Sequence, residues 1–243
     1  MNDYYNGGKG SLGSGPGKDL HLQFTSNAQV IVSAAKGGSG NFINNPGGYP
    51  VMFFQTGNDV VINATAGISV GLWFTYSALQ PGTATVYDGP NGSRNILSSI
   101  TLNPNNSGCN TYKLCVWSPV GVPLSTLAGS IRFSGVANFL AINAIHLGMK
   151  IPTSTVLTSS QNPSVQGESV TFTAIVSATG AVPAGTVTFK AGNMVLGTGP
   201  VPLVGGTASL AVSDLPVGAT KITALFRGAS FVSTQATLIQ TVN

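Results

Sequence analysis

Residues 169–176, SVTFTAIV, alternate along the chain, so an extended backbone carries Val170, Phe172, Ala174 and Val176 on one face. A period of two does not fit a helix. It recurs in runs too short, and too often broken by Gly or Pro, to build anything except many strands. Downstream lie runs at 186–189 (TVTF), 194–196, 207–212, 221–226 and 238–242, separated by Gly- or Pro-bearing turns. Upstream, strand candidates fall at 20–25, 29–33, 51–54, 59–63, 68–76, 83–87, 96–102, 120–123, 130–134 and 139–147. Loops such as 37–40 (GGSG) and 88–92 (DGPNG) divide them, and no ten-residue amphipathic helical pattern appears. The pattern predicts an all-β protein, because strands this many and this short do not suit a parallel α/β sheet. A jelly-roll-like sandwich is expected over 20–148 and an immunoglobulin-like sandwich over 152–243, meeting at the GMKIP segment 148–152. The Gly-rich GGKGSLGSGPG stretch lacks a preceding strand and a following helix, so 1–19 reads as a flexible arm and not as a phosphate loop.

Composition narrows the classes of function. Hydrophobic residues make up 42% of the 243, which excludes a disordered chain, whereas charged residues make up only 7%. That is about a quarter of the usual share, so the polar surface must come from Thr, Ser, Asn, Gln and backbone. Ten Lys and Arg against six Asp and Glu leave a formal charge of +4. The basic residues are scattered singly from Lys9 to Arg227, which is not the clustered footprint of a nucleic-acid binder. No apolar run approaches the roughly 18 residues of a membrane span. The opening MNDYYNGGKG has neither the basic start nor the apolar centre of a signal peptide, which taken literally places the chain in the cytosol. So low a charge content favours the other reading, a mature or trimmed form of an exported chain on the cell surface or outside the cell.

Two resemblances refine this. The elements TSTVLTSSQNPSVQGESVTFTAIV, PAGTVTFKAGNMVLGTG and GGTASLAVSDLPVGATKITALFRGASF resemble the bacterial Ig-like repeats (group 3 type) of large secreted and surface proteins. The likeness covers nearly all of 152–243 and implies a spacer, adhesive module or assembly unit without catalytic residues. The family's usual Asp after the aromatic-x-Gly is replaced here by Ala229, so any contact made by that acid is absent. In the N-terminal half, ATVYDGPNGSRNILSSITL is followed by the Cys109–Cys115 loop, Pro119-Val120-Gly121-Val122 and Gly135-Val136-Ala137-Asn138-Phe139. That order resembles the β-sandwich domains of PEP-CTERM proteins, sorted by exosortase and exported into extracellular matrix. The acidic pair often found in the family's last strand is missing from Leu140-Ala141-Ile142-Asn143-Ala144-Ile145.

Few residues offer chemistry. Catalysis needs an acid, base or nucleophile with a positioned partner. The chain has His21, His146, five Asp (Asp3, Asp19, Asp59, Asp88, Asp214), Glu168 and two Cys, in no HExxH or nucleophile-elbow pattern. No enzyme and no cofactor is expected, except that jelly-roll modules often hold a structural calcium. Calcium takes roughly six to eight oxygens. The 88–92 turn supplies one carboxylate and an amide, and reads more simply as a hairpin turn. Trp73, Tyr76 and Trp117 are the candidates for stacking on sugar rings, against the commoner fate of aromatics in a core. Cys109 and Cys115 lack further zinc ligands at finger spacing and are not a Cys-x-x-Cys redox pair. A local disulfide in an oxidising compartment remains. Together these point to a secreted structural or adhesive protein, a subunit of matrix, sheath or surface filament that polymerises or contacts neighbouring surface proteins through strands. The alternative is a carbohydrate-binding module with an Ig-like spacer.

Overall fold

The computed structural model describes residues 4–9, 15–48, 50–178 and 180–243. The chain divides into two compact units, Met1–Met149 and Lys150–Asn243. The first contains β1 (Leu22–Phe24), β2 (Gln29–Ile31), β3 (Val51–Phe53), β4 (Asp59–Ile68) and β5 (Gly71–Ala78). It continues with β6 (Gly82–Tyr87), β7 (Ile96–Leu102), β8 (Ser118–Pro123), β9 (Ala128–Ser134) and β10 (Leu140–Leu147). One sheet has the order β1-β4-β9-β6-β7 and the other β2-β3-β10-β5-β8, with antiparallel pairing throughout. Leaving aside β1 and β2, the eight strands β3 to β10 fall into sheets β3-β10-β5-β8 and β4-β9-β6-β7, the jelly-roll order, in which only the β6-β7 hairpin keeps consecutive strands in one sheet.

Alternation decides what lies between the sheets. In β5, Leu72, Phe74, Tyr76 and Ala78 face inward, and Phe74 meets Phe133 of β9 edge-to-face at 5.0 Å. Val60 and Ile62 of β4, Ala84 and Val86 of β6, and Leu140 and Ile142 of β10 complete this core. Of the arm expected over 1–19, residues 1–3 and 10–14 lie outside the described residues. Tyr5 packs against this core, its ring 5.8 Å from that of Phe24.

The boundary between the strands expected at 59–63 and 68–76 lies elsewhere. The run 68–76 is broken, because β4 ends at Ile68 and β5 begins at Gly71. Gly71 N–H donates to Ser69 C=O at 2.7 Å across the turn, and Val70 sits at φ +69°. A β-branched residue rarely adopts that conformation. Val70 C=O accepts from Leu124 N–H at 3.2 Å, a contact outside the turn that no local pattern encodes.

The second unit has β11 (Thr153–Ser159), β12 (Val170–Ala178), β13 (Thr186–Ala191), β14 (Met194–Val195) and β15 (Val201–Pro202), then β16 (Thr207–Val212), β17 (Gly218–Arg227) and β18 (Gln235–Val242). β11-β12-β16 form one sheet and β14-β13-β17-β18 the other, with β15 also pairing β13. The alternating residues Val170, Phe172, Ala174 and Val176 are all buried, against Val187, Phe189, Ala224 and Phe226 of the facing sheet. Phe226 and Phe231 flank Gly228 and meet at 6.4 Å. A side chain on Gly228 would stand 2.7 Å from Ala184 C=O, a close approach that holds this corner to Gly. The Ser/Thr-rich start of this half forms β11, whose Thr153 and Thr155 hydroxyls both bond Thr234 Oγ1, at 3.0 and 2.7 Å.

Candidate functional site

The site forms on the outer face of the sheet β2-β3-β10-β5-β8. A solvent-facing sheet face is usually polar. Here Ile31, Val51 and Ala141 point outward and are covered by two loops, making a small second cluster with Phe42, Leu114 and Trp117. The first loop, residues 32–48, is held by Ser33, whose hydroxyl donates to Phe42 C=O. It is also held by Asn143 of β10, which accepts from Gly47 N–H at 2.7 Å and donates to Gly48 C=O at 3.2 Å. The second, residues 103–117, contains the disulfide Cys109–Cys115, with Cα atoms 5.8 Å apart.

Asn105 and Asn106 tie this second loop to the end of β5. Asn106 Oδ1 accepts from Cys115 N–H at 2.8 Å and Val116 N–H at 3.0 Å, closing the loop beside the disulfide. Its Nδ2 donates to Ser77 Oγ at 2.9 Å and Ala78 C=O at 3.1 Å. Asn105 Oδ1 accepts from Ala78 N–H at 2.9 Å, while its Nδ2 reaches Ser118 Oγ at 2.9 Å. The two loops then bond each other. Ile43 N–H donates to Leu114 C=O at 3.0 Å, Leu114 N–H to Asn41 C=O at 3.2 Å, and Lys113 N–H to Asn41 Oδ1 at 2.9 Å. Trp117 seals the junction, with its indole N–H on Ile43 C=O at 2.9 Å and its ring edge-on to Phe42 at 6.2 Å.

Beside this junction opens a cleft of about 640 Å³. Its apolar lining includes Ile31, Phe42, Phe53, Leu79, Leu114 and Phe139. Ser39, Asn41, Gln55 and Asn138 supply polar groups, and among the described residues Lys113 is the one charged residue of the lining. Phe139 is 38% exposed, an aromatic ring left open to solvent. A second cleft of about 560 Å³ lies among β1, β4 and β10 and is lined by Leu22, Met52, Ile68, Ile145 and Leu147.

The aromatic candidates do not converge. Tyr76 is only 8% exposed and belongs to the inner core, and Trp117 is committed to Phe42 and Ile43. Trp73, on the outer face, pairs with His146 of β10. The two rings stack 3.8 Å apart and 11° from parallel. Burial holds the His146 pKa below its usual value. His21 lies 3.5 Å from Asp19, with both side chains at least half exposed, unlike the buried geometry of a catalytic dyad.

At the 88–92 turn, Asp88 accepts from Asn95 N–H at 2.9 Å and Asn95 Nδ2 at 2.8 Å. These bonds, led by the side-chain one, lower the Asp88 pKa, so the carboxylate serves the hairpin. Asn91 and Asn63 exchange bonds of 2.6 and 2.7 Å, fastening the turn onto β4. Gly92, at φ +64°, leaves room where a Cβ would stand 2.6 Å from the Arg132 guanidinium. Among the described residues, no three His, Cys, Asp or Glu side chains come together as a metal site.

Among solved structures, the chain is similar to the glycoside hydrolase domain of Endo-D from Streptococcus pneumoniae R6, at 10% identity and a TM-score of 0.30. It is also similar to a putative membrane anchored protein from Corynebacterium diphtheriae, at 14% and 0.30, and to a β-glucuronidase from Ruminococcus gnavus, at 12% and 0.26. These alignments cover 90%, 88% and 91% of this chain but only 37%, 53% and 46% of those proteins. No curated protein matches the chain. Residues 157–243 match the family model of the bacterial Ig-like domain (group 3), and the C-terminal sandwich is therefore a bacterial Ig-like domain.

Proposed function

We propose that the chain is a non-catalytic structural or adhesive protein of the bacterial exterior, whose copies associate through strand edges. The observation that carries this reading is β7. Among the described residues it ends its sheet and pairs only with β6, and over seven residues (ILSSITL) it holds no charge and no Pro. Natural edge strands are usually short, charged or broken by Pro, because open N–H and C=O groups recruit another strand. Within the first unit the other edges follow that rule: β1 and β2 have three residues each, and β8 carries Pro119 and Pro123. In the second unit β11, β16 and β18 are further end strands without charge or Pro. An Ig-like domain and a disulfide agree with an oxidising location outside the cytoplasm. Resemblance of the N-terminal half to exported matrix proteins points the same way.

Sedimentation velocity over a concentration series, with electron microscopy of the same samples, tests this. Regular oligomers or fibres are expected, and Ser99→Lys with Thr101→Lys should return them to monomers by placing ammonium groups on β7. Monomers at every concentration, or assembly indifferent to both lysines, would overturn it.

A further inference from the structure

We propose that the cleft beside the Cys109–Cys115 loop binds an acidic glycan, with a sugar ring on Phe139 and Phe53 and a carboxylate at Lys113. Its volume of about 640 Å³ lies within the range of roughly 300–1,000 Å³ that ligand sites occupy. The chemistry is divided as an amphipathic ring requires. Phe53, Phe139 and Leu79 present apolar surface, and Ser39, Asn41, Gln55 and Asn138 present hydroxyl and amide groups. A pyranose has the matching halves, an apolar C–H face and a girdle of hydroxyls.

Charge selects among glycans. Lys113 is exposed, and among the described residues no carboxylate lines the cleft. Among the described residues, the ion pairs are Asp19 with His21 and Asp59 with Arg132, and neither involves Lys113. An ammonium beside an apolar surface without a carboxylate complements an anionic ligand. The wall is also pre-organised. Lys113 and Leu114 lie inside the disulfide-closed loop, and Asn41 fixes Lys113 through its backbone N–H. A site held in its binding shape does not spend affinity on ordering itself. This site is separate from β7 and stands whether or not the protein polymerises.

The full chain is tested by calorimetry and affinity electrophoresis with polygalacturonate and alginate, using methyl-esterified polygalacturonate, dextran and poly-glutamate for comparison. Binding to the two polyuronates is expected, weaker at least tenfold for the ester and dextran. Phe139→Ala should weaken it at least tenfold, and Lys113→Gln should abolish the preference for acid over ester. Trp73→Ala, outside the cleft, should leave it unchanged. Thermal melting of each variant separates lost binding from lost fold. No binding to either polyuronate, binding undiminished in both cleft variants, or equal binding of poly-glutamate would overturn the proposal.

Discussion

Asn105 and Asn106 occupy a stretch, NPNNSG, that reads as a plain loop, yet their amides hold the disulfide segment to β5. Nothing local distinguishes them from neighbouring asparagines, because their partners Ser77 and Ala78 lie far off in sequence. His146 is a similar case. Alternation placed it on a strand face but did not reveal that Trp73 would stack against it. Burial lowers its folded pKa, whereas the unfolded chain takes up a proton near the ordinary value of about 6.5. Stability contributed by neutral His146 is therefore complete above that pH and is lost as pH falls through the window between the unfolded and folded values. Urea unfolding at pH 8 and pH 5.5 should show this loss in the wild type. It should be smaller in His146→Phe, which keeps a ring on Trp73 and cannot titrate; an equal loss would remove His146 as its source.

At the scale of elements, the sequence pattern located most strands to within a few residues and failed where the turn had no punctuation. Ser69-Val70 carries no Gly, Pro or Asn, so the pattern ends one strand at 63 and begins the next at 68, whereas β4 runs on to Ile68 and β5 begins at Gly71. The same limit hid β11, since a Thr/Ser-rich run has no marked apolar face until β12 and Thr234 supply its partners. The disulfide was legible because elimination left the cysteines no other partner. Its closed loop is short, so replacing Cys109 and Cys115 by Ser should cost roughly 2 kcal/mol on the chain-entropy account. Urea unfolding of the first unit checks this, and a cost near zero would mean that Asn106 alone closes the loop. Reading edges needs topology as well: only the sheet order makes β7 an end strand.

At the scale of the molecule, each unit has its own buried cluster, one around Phe74 and Phe133 and one around Phe172, Phe189 and Phe226. Residues 150–243 expressed alone should therefore unfold cooperatively, with the same midpoint as that unit in the full chain. A broad transition measured by circular dichroism would show that the cluster depends on the first unit. The sequence by itself determined the all-β class, the Ig-like C-terminal domain, the scarcity of catalytic groups and the cysteine pair. These follow from residue type, local period and short-range spacing. The tertiary structure decided which strand lies at an edge, which aromatics are buried, and which amides meet across the outer face to wall a cleft around Lys113 and Phe139. Those depend on contacts between residues tens of positions apart, and a period of two says which side a residue faces but not what covers that side.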